Sequence, residues 1–134
     1  MCIMYLAIMN GGERMRISAD VLRGYTDVIL LRRLRDGDGY GYRVNREVAD
    51  ISEGNLTLKE ATLYTAFRRM EEAGLIRSYW GSEDAGARRR YYSLTDLGLT
   101  RLKEETDNWV ETRKILDRLI VGPDELEGGC EDER

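Results

Sequence analysis

Residues 57–76 read TLKEATLYTAFRRMEEAGLI, a stretch that carries a helix start, an apolar period and a stop within twenty residues. Thr57, followed three residues later by Glu60, has the form of a capping box: the hydroxyl accepts from an amide three residues on, and the carboxylate reaches back. The spacing therefore predicts a helix starting at Leu58. At 100° per residue, Leu63, Phe67 and Met70 share one face, while Ala61, Thr62, Thr65, Arg68 and Arg69 share the other. Ala73-Gly74 supplies the stop, with Gly74 in the left-handed position and Leu75 packing back. The result is a helix with one apolar face to bury and one polar, basic face to present.

On the N-terminal side, Leu22, Tyr25, Val28, Ile29 and Leu31 recur at helical spacing between Ser18 and Arg35, predicting one amphipathic helix. It ends at Asp36-Gly37-Asp38-Gly39, a cluster that favours turns. A second helix is expected from about Tyr42 to Asp50, burying Val44 and Val48 with Tyr40 beside it, and Gly54-Asn55 closes it. On the C-terminal side, Ile76, Ser78 and Trp80 alternate with Arg77 and Tyr79, and Tyr92 and Leu94 with Tyr91 and Ser93, so two short strands are expected. The loop 81–87 between them leads into Arg88-Arg89-Arg90. Thr95 is a good N-cap for a last helix reaching Val121, roughly 25 residues and longer than most globular helices. The expected fold is mainly α with a small β-hairpin. A winged helix-turn-helix domain spans 16–94 and a long C-terminal dimerisation helix spans 95–121.

Composition narrows the function. A length of 134 residues suits one domain of ordinary size, and 42% apolar with 34% charged residues suits a soluble one. No run approaches the roughly 18 apolar residues of a membrane span. The opening MCIMYLAIMNGGERM has neither a basic leader nor a small-residue cleavage pattern, so residues 1–15 read as a disordered extension rather than a signal peptide. The two cysteines, Cys2 and Cys130, lie in the terminal segments without partners at metal-ligand spacing. So few thiols suit a reducing cytoplasm. The chain has no histidine, which removes the usual general base, triad partner and commonest zinc ligand. No enzyme, no metal site and no cofactor is expected. The net charge of −4 is uneven: residues 122–134 carry six acidic groups against Arg134, and the rest carry 20 basic and 19 acidic groups. The acidity belongs to a tail that Gly122, Pro123 and Gly128-Gly129 keep from helix, so 122–134 is expected to be disordered.

Four blocks in order, LRGYTDVILLRRL (22–34), DGYGYRV (38–44), TLYTAFRRMEEAGLI (62–76) and RRRYYSLTDLG (88–98), resemble the PadR family of bacterial transcription regulators. The resemblance covers about residues 16–121, and the short final region looks like the smaller subtype of that family. It implies a winged helix that binds double-stranded DNA as a homodimer paired through the last helix. The chain departs from the pattern at Thr65, where the family usually has proline; this changes a groove-facing side chain and leaves the helix intact.

In a helix-turn-helix the second helix enters the major groove with its N-terminal side chains at base edges. That assigns Lys59, Thr62, Thr65 and Arg69 to base or phosphate contact, Tyr64 to a phosphate through its hydroxyl, and Arg68 to a secondary contact; the alternative for Arg68 and Arg69 is solvated surface charge. Arg88, Arg89 and Arg90 fall at the wing, where guanidinium groups meet phosphates or the minor groove. Trp80 has the parity of Ile76 and is expected to pack the wing on the core. In the last helix Leu99, Leu102, Thr106, Trp109, Arg113, Leu116 and Ile120 recur in steps of three and four, a seam for another helix. Leu102, Thr106, Trp109, Arg113 and Leu116 are the candidates for the dimer centre. There Trp109 is either interface core or a platform for a small planar aromatic effector, the second use being one that the resemblance implies. The expected function is a dimeric repressor of a roughly palindromic operator. The competing reading is a protein-interaction module that no longer binds DNA and whose acidic tail contacts a basic partner.

Overall fold

The helix predicted from residues 57–76 is the centre of the molecule. In a computed structural model, which describes residues 17–82 and 88–123, its apolar face is fully sequestered: Leu63, Ala66, Phe67 and Met70 are buried, Phe67 completely. Phe67 shares one buried cluster with Leu30, Leu31, Val44, Leu75 and Ile76, and Tyr92 stacks on its ring with centroids 4.1 Å apart. Every buried apolar residue among those described lies between Leu30 and Leu102.

In chain order the elements are α1 (Ala19–Leu22), α2 (Thr26–Arg35), β1 (Gly39–Tyr40), α3 (Gly41–Ile51), α4 (Glu60–Glu72), β2 (Ile76–Ser82), β3 (Arg88–Leu94) and α5 (Asp96–Leu116). A π-helical turn, Asp117–Val121, continues α5. This is the winged helix-turn-helix with a long last helix that the sequence predicts. The chain forms two units, Ile17–Glu105 and a second that contains Thr106 and the residues after it. No described helix is long and apolar enough to cross a membrane. The N-terminal extension, most of the acidic tail and residues 83–87 of the wing loop lie outside the described residues.

Four local expectations change. The single helix expected over 18–35 is two, interrupted at Arg23–Tyr25. Glycine costs a helix interior about 1 kcal/mol, and after Gly24 the Thr26 hydroxyl donates back to the Leu22 carbonyl at 3.1 Å. The capping box does not form: α4 begins at Glu60, two residues late, and Lys59 stands at its N-cap with no side-chain cap. The Asn45 side chain takes both backbone groups of Leu58, donating to its carbonyl at 2.7 Å and accepting from its amide at 3.1 Å. Leu58 is thereby held outside the helix and its side chain is buried. A bridge from α3 thus replaces a local cap and fixes the turn of the helix-turn-helix. Third, the sheet has three strands in the order β1-β3-β2, because Gly39 and Tyr40 pair with Tyr92 and Tyr91. A two-residue strand is too short to show alternation. Fourth, Trp80 stands exposed rather than packed on the core.

The ends of α4 and α5 are tied together. After Ala73, Gly74 takes φ +81°, its amide donates to Glu71 and that of Leu75 donates to Met70, the paired bonds of a Schellman stop. The Thr95 hydroxyl caps α5 by accepting from the Gly98 amide at 3.0 Å, as expected, and lies against the carbonyls of Gly74 and Leu75. A Cβ at Gly98 would stand 2.0 Å from the Leu75 carbonyl oxygen, so only glycine permits this approach.

Candidate nucleic-acid interface

Because α4 turns its apolar face inward, its opposite face is committed to solvent. Thr62, Thr65, Arg68 and Arg69 are exposed, as is Lys59 at the N-cap. Lys59, Thr62, Thr65 and Arg69 follow one another at steps of three and four and form a single stripe. At the head of the stripe, the first amides of α4 have no side-chain cap, and the first backbone bond runs from Leu63 to Lys59. Unpaired amides and the positive end of the helix dipole both favour an anion there.

Tyr64 is half exposed, edge-on to Phe67, and its hydroxyl lies over Gly41 at the start of α3. A Cβ at position 41 would be 2.2 Å from that oxygen, so Gly41 is what admits the ring. The phenol predicted as a phosphate donor is thus held at the N-terminal end of one helix by the side of another. The two arginines of α4 differ. Arg68 makes no ion pair among the described residues, whereas Arg69 is bonded to Asp27 of α2. Arg69 also lines a cavity of about 110 Å³ with Arg23, Asp27, Arg101 and Glu105, over a floor of Val28, Leu31 and Leu75.

In the wing, β2 and β3 pair from Ile76↔Leu94 to Ser82↔Arg88. Tyr92 and the partly buried Leu94 anchor β3 on the core. Trp80 does not pack on the core: it shares the inward parity but is 59% exposed. The hairpin runs past the end of the apolar layer, and the Arg88 guanidinium covers the indole instead, 4.9 Å from its centroid. Arg89 lies 4.4 Å over the Tyr40 ring, and its Nε finds no hydrogen-bond partner among the described residues. Arg90 turns back toward α4, donating to Ser78 Oγ at 2.9 Å and pairing with Glu71 at 3.3 Å. The three arginines expected to act alike therefore differ: Arg90 is engaged by an acid of α4, whereas Arg88 and Arg89 lie over the rings of Trp80 and Tyr40.

The outer side of the sheet is a tyrosine ladder, with Tyr91 stacked on Tyr79 at 5.6 Å and edge-on to Tyr40 at 5.4 Å. The Tyr79 hydroxyl donates to Asp38, which raises its pKa above the ordinary value. Burial raises that of Tyr92, against the opposing charge of Arg90. Both phenols stay neutral and able to donate near pH 7. The residues that sequence reasoning missed, Asp27, Asn45 and Glu71, all act through partners distant in the chain, and no local pattern marks them.

The seam of the last helix divides. Leu102 is only 3% exposed and belongs to the core of its own chain, so it is not presented to a partner. Leu99, Thr106, Arg113, Leu116 and Ile120 are exposed, and Trp109 is 37% exposed. Trp109, Arg113, Leu116 and Ile120 share one face by their spacing.

The profile of the transcriptional regulator PadR-like family matches residues 30–104, a span that holds α4, both wing strands and the head of α5. A protein of Lysinibacillus sphaericus is 36% identical over 106 residues, covering 79% of this chain and 97% of its own. Among solved structures, a transcriptional regulator from Clostridium thermocellum is similar at 38% identity and a TM-score of 0.71, covering 76% of this chain and 99% of that one. A PadR family transcription regulator from Clostridium difficile R20291 is similar at 36% identity and a TM-score of 0.64, covering 72% and 99%. With the match spanning more than half of its length, the chain belongs to the PadR-like family of transcriptional regulators.

Proposed function

We propose that the protein is a sequence-specific repressor that binds a roughly palindromic operator as a homodimer, with α4 in the major groove. The observation that carries this reading is the single polar stripe Lys59, Thr62, Thr65 and Arg69, opposite a fully buried face and beside a wing bearing Arg88 and Arg89. Threonines offer the hydroxyl and methyl groups that read base edges, and the cations meet phosphates. Two copies related by a twofold axis would place two such helices one turn of DNA apart.

The last helix supplies the pairing surface and the regulation. From Thr106 to Val121 it carries Trp109, Leu116 and Ile120 along one face, a stripe interrupted by the polar Thr106 and Arg113 on either side of the indole. A small planar aromatic compound stacking there releases the operator if it binds the DNA-incompetent arrangement of the dimer more tightly. A selection from random duplex DNA tests the whole reading: a split, inverted-repeat sequence should emerge. Absence of any enrichment would sink it in favour of a protein-interaction module.

A further inference from the structure

The wing is tied to the recognition helix by a closed polar triangle. Glu71, in the last turn of α4, accepts from Ser78 Oγ of β2 at 2.6 Å and from Arg90 Nη2 of β3 at 3.3 Å. The third side is Arg90 Nη2 donating to Ser78 Oγ at 2.9 Å. The three residues come from three elements, and all three sides are direct. The same guanidinium lies 5.9 Å from the centroid of Tyr92, whose ring stacks on Phe67 of α4. The pair is half shielded, with side-chain exposures of 32% for Glu71 and 50% for Arg90. It is therefore less screened than a fully exposed pair.

We infer that Glu71 is a positioning residue for DNA binding: it holds Arg90 and Ser78 so that the wing strands keep one angle to α4, and Arg90 serves this strut rather than a phosphate. The inference rests on the DNA-binding reading above. Its consequence runs against simple electrostatics. An acid beside a DNA-facing surface repels phosphate, so its neutralisation should tighten binding if charge were all that mattered. A strut predicts the reverse, since a loosened wing must be ordered again on every binding event.

The experiment uses the full chain with an operator duplex from the selection and a random-sequence duplex. Glu71→Gln keeps an acceptor for Ser78 and removes the ion pair; it should weaken both complexes by roughly three- to tenfold, the scale of one partly shielded ion pair per subunit. The slope of affinity against salt should stay unchanged, because the same phosphates are still neutralised. Glu71→Arg and Arg90→Glu should each weaken binding, and combining them should restore most of it, a recovery that a phosphate-binding Arg90 cannot produce. Circular dichroism accompanies each variant. Equal or tighter binding by a folded Glu71→Gln protein overturns the inference, as does a folded double variant that stays weak. Should the exchanged pair fail to fold, the sign of the Glu71→Gln effect decides alone. Failure of the parent to bind any duplex would count against the DNA-binding reading instead, and the two failures are told apart by the parent control.

Discussion

The segment from Leu30 to Leu102 and the segment from Thr106 to Val121 are both amphipathic, yet they treat their apolar residues in opposite ways. In the first, the apolar stripes of α2, α3 and α4 close on one another, and fifteen hydrophobic residues fall out of solvent. In the second no described residue is buried, and Leu119 and Ile120 are about three-quarters exposed, at 75% and 77%. Spacing alone reports that a helix has an apolar face. Whether that face is covered by its own chain depends on what the remaining elements can reach, and Leu102 shows how finely the boundary falls within one continuous stripe. The contrast places the stability of the fold in the first segment and leaves the second with an uncovered apolar face, the one on which the proposed pairing rests.

That division breaks most sharply at Phe67 and Ile120. Phe67→Ala should cost about 3 to 5 kcal/mol in urea unfolding, because the ring is completely buried in the core cluster against Tyr92 and its removal leaves a cavity. Ile120→Ser, combined with Leu116→Ser, should change the unfolding of Ile17–Glu105 little and shift sedimentation toward monomer at micromolar concentration. A dimer that survives the double serine change would place the pairing surface elsewhere.

The same distinction marks what was legible in the chain. The buried face of α4, its Schellman stop and the Thr95 cap were readable because each depends on neighbours within a few residues. The start of α4 was not, since Asn45 reaches Leu58 from thirteen residues away and displaces a plausible local cap. Gly24 sat inside a convincing helical period and still interrupted it. Parity placed Trp80 on the inward side of β2 correctly but could not say that the hairpin outruns the core. For the candidate interface, exposure of Thr62, Thr65 and Arg68 followed from periodicity, whereas the partners Asp27 and Glu71, which separate Arg69 and Arg90 from the other arginines, come from the tertiary fold alone.

Within the segment proposed to bind DNA, two groups of side chains should separate by what they change. Thr62→Ala and Thr65→Ala should reorder the ranking of operator variants, by about 1 to 3 kcal/mol for each base that a threonine reads. Competition binding against a panel of single-base changes measures it, and a uniform weakening across the panel would reassign both threonines to backbone positioning. Arg88→Ala with Arg89→Ala should instead weaken all sequences alike. It should flatten the salt dependence by about one unit of slope for each phosphate no longer neutralised in each subunit. With Arg90 held by Glu71, adding Arg90→Ala should flatten it no further. A salt titration in which the third arginine contributes as much as the other two would contradict the division of the wing.

The smallest effect belongs to Trp109 and tests the effector role proposed for the second segment. Its indole lies on the face shared with Arg113, Leu116 and Ile120, and the neighbouring positions Thr106 and Arg113 pack less apolar volume than leucines would. Trp80 is too exposed to serve as a silent background, so the measurement belongs in a Trp80→Phe protein, where Trp109 is the sole tryptophan. Small planar aromatic compounds should quench that emission in a saturable way. Trp109→Ala, followed by calorimetry because the fluorophore is gone, should forfeit about 0.5 to 1.5 kcal/mol of ligand affinity beyond the effect of buried area, the scale of one stacked aromatic pair. If the alanine variant still dimerises and binds the same compounds as tightly, Trp109 is interface core only. The arginine-lined cavity between α2, α4 and the head of α5 then becomes the place to look for an effector, inside the segment that otherwise serves stability.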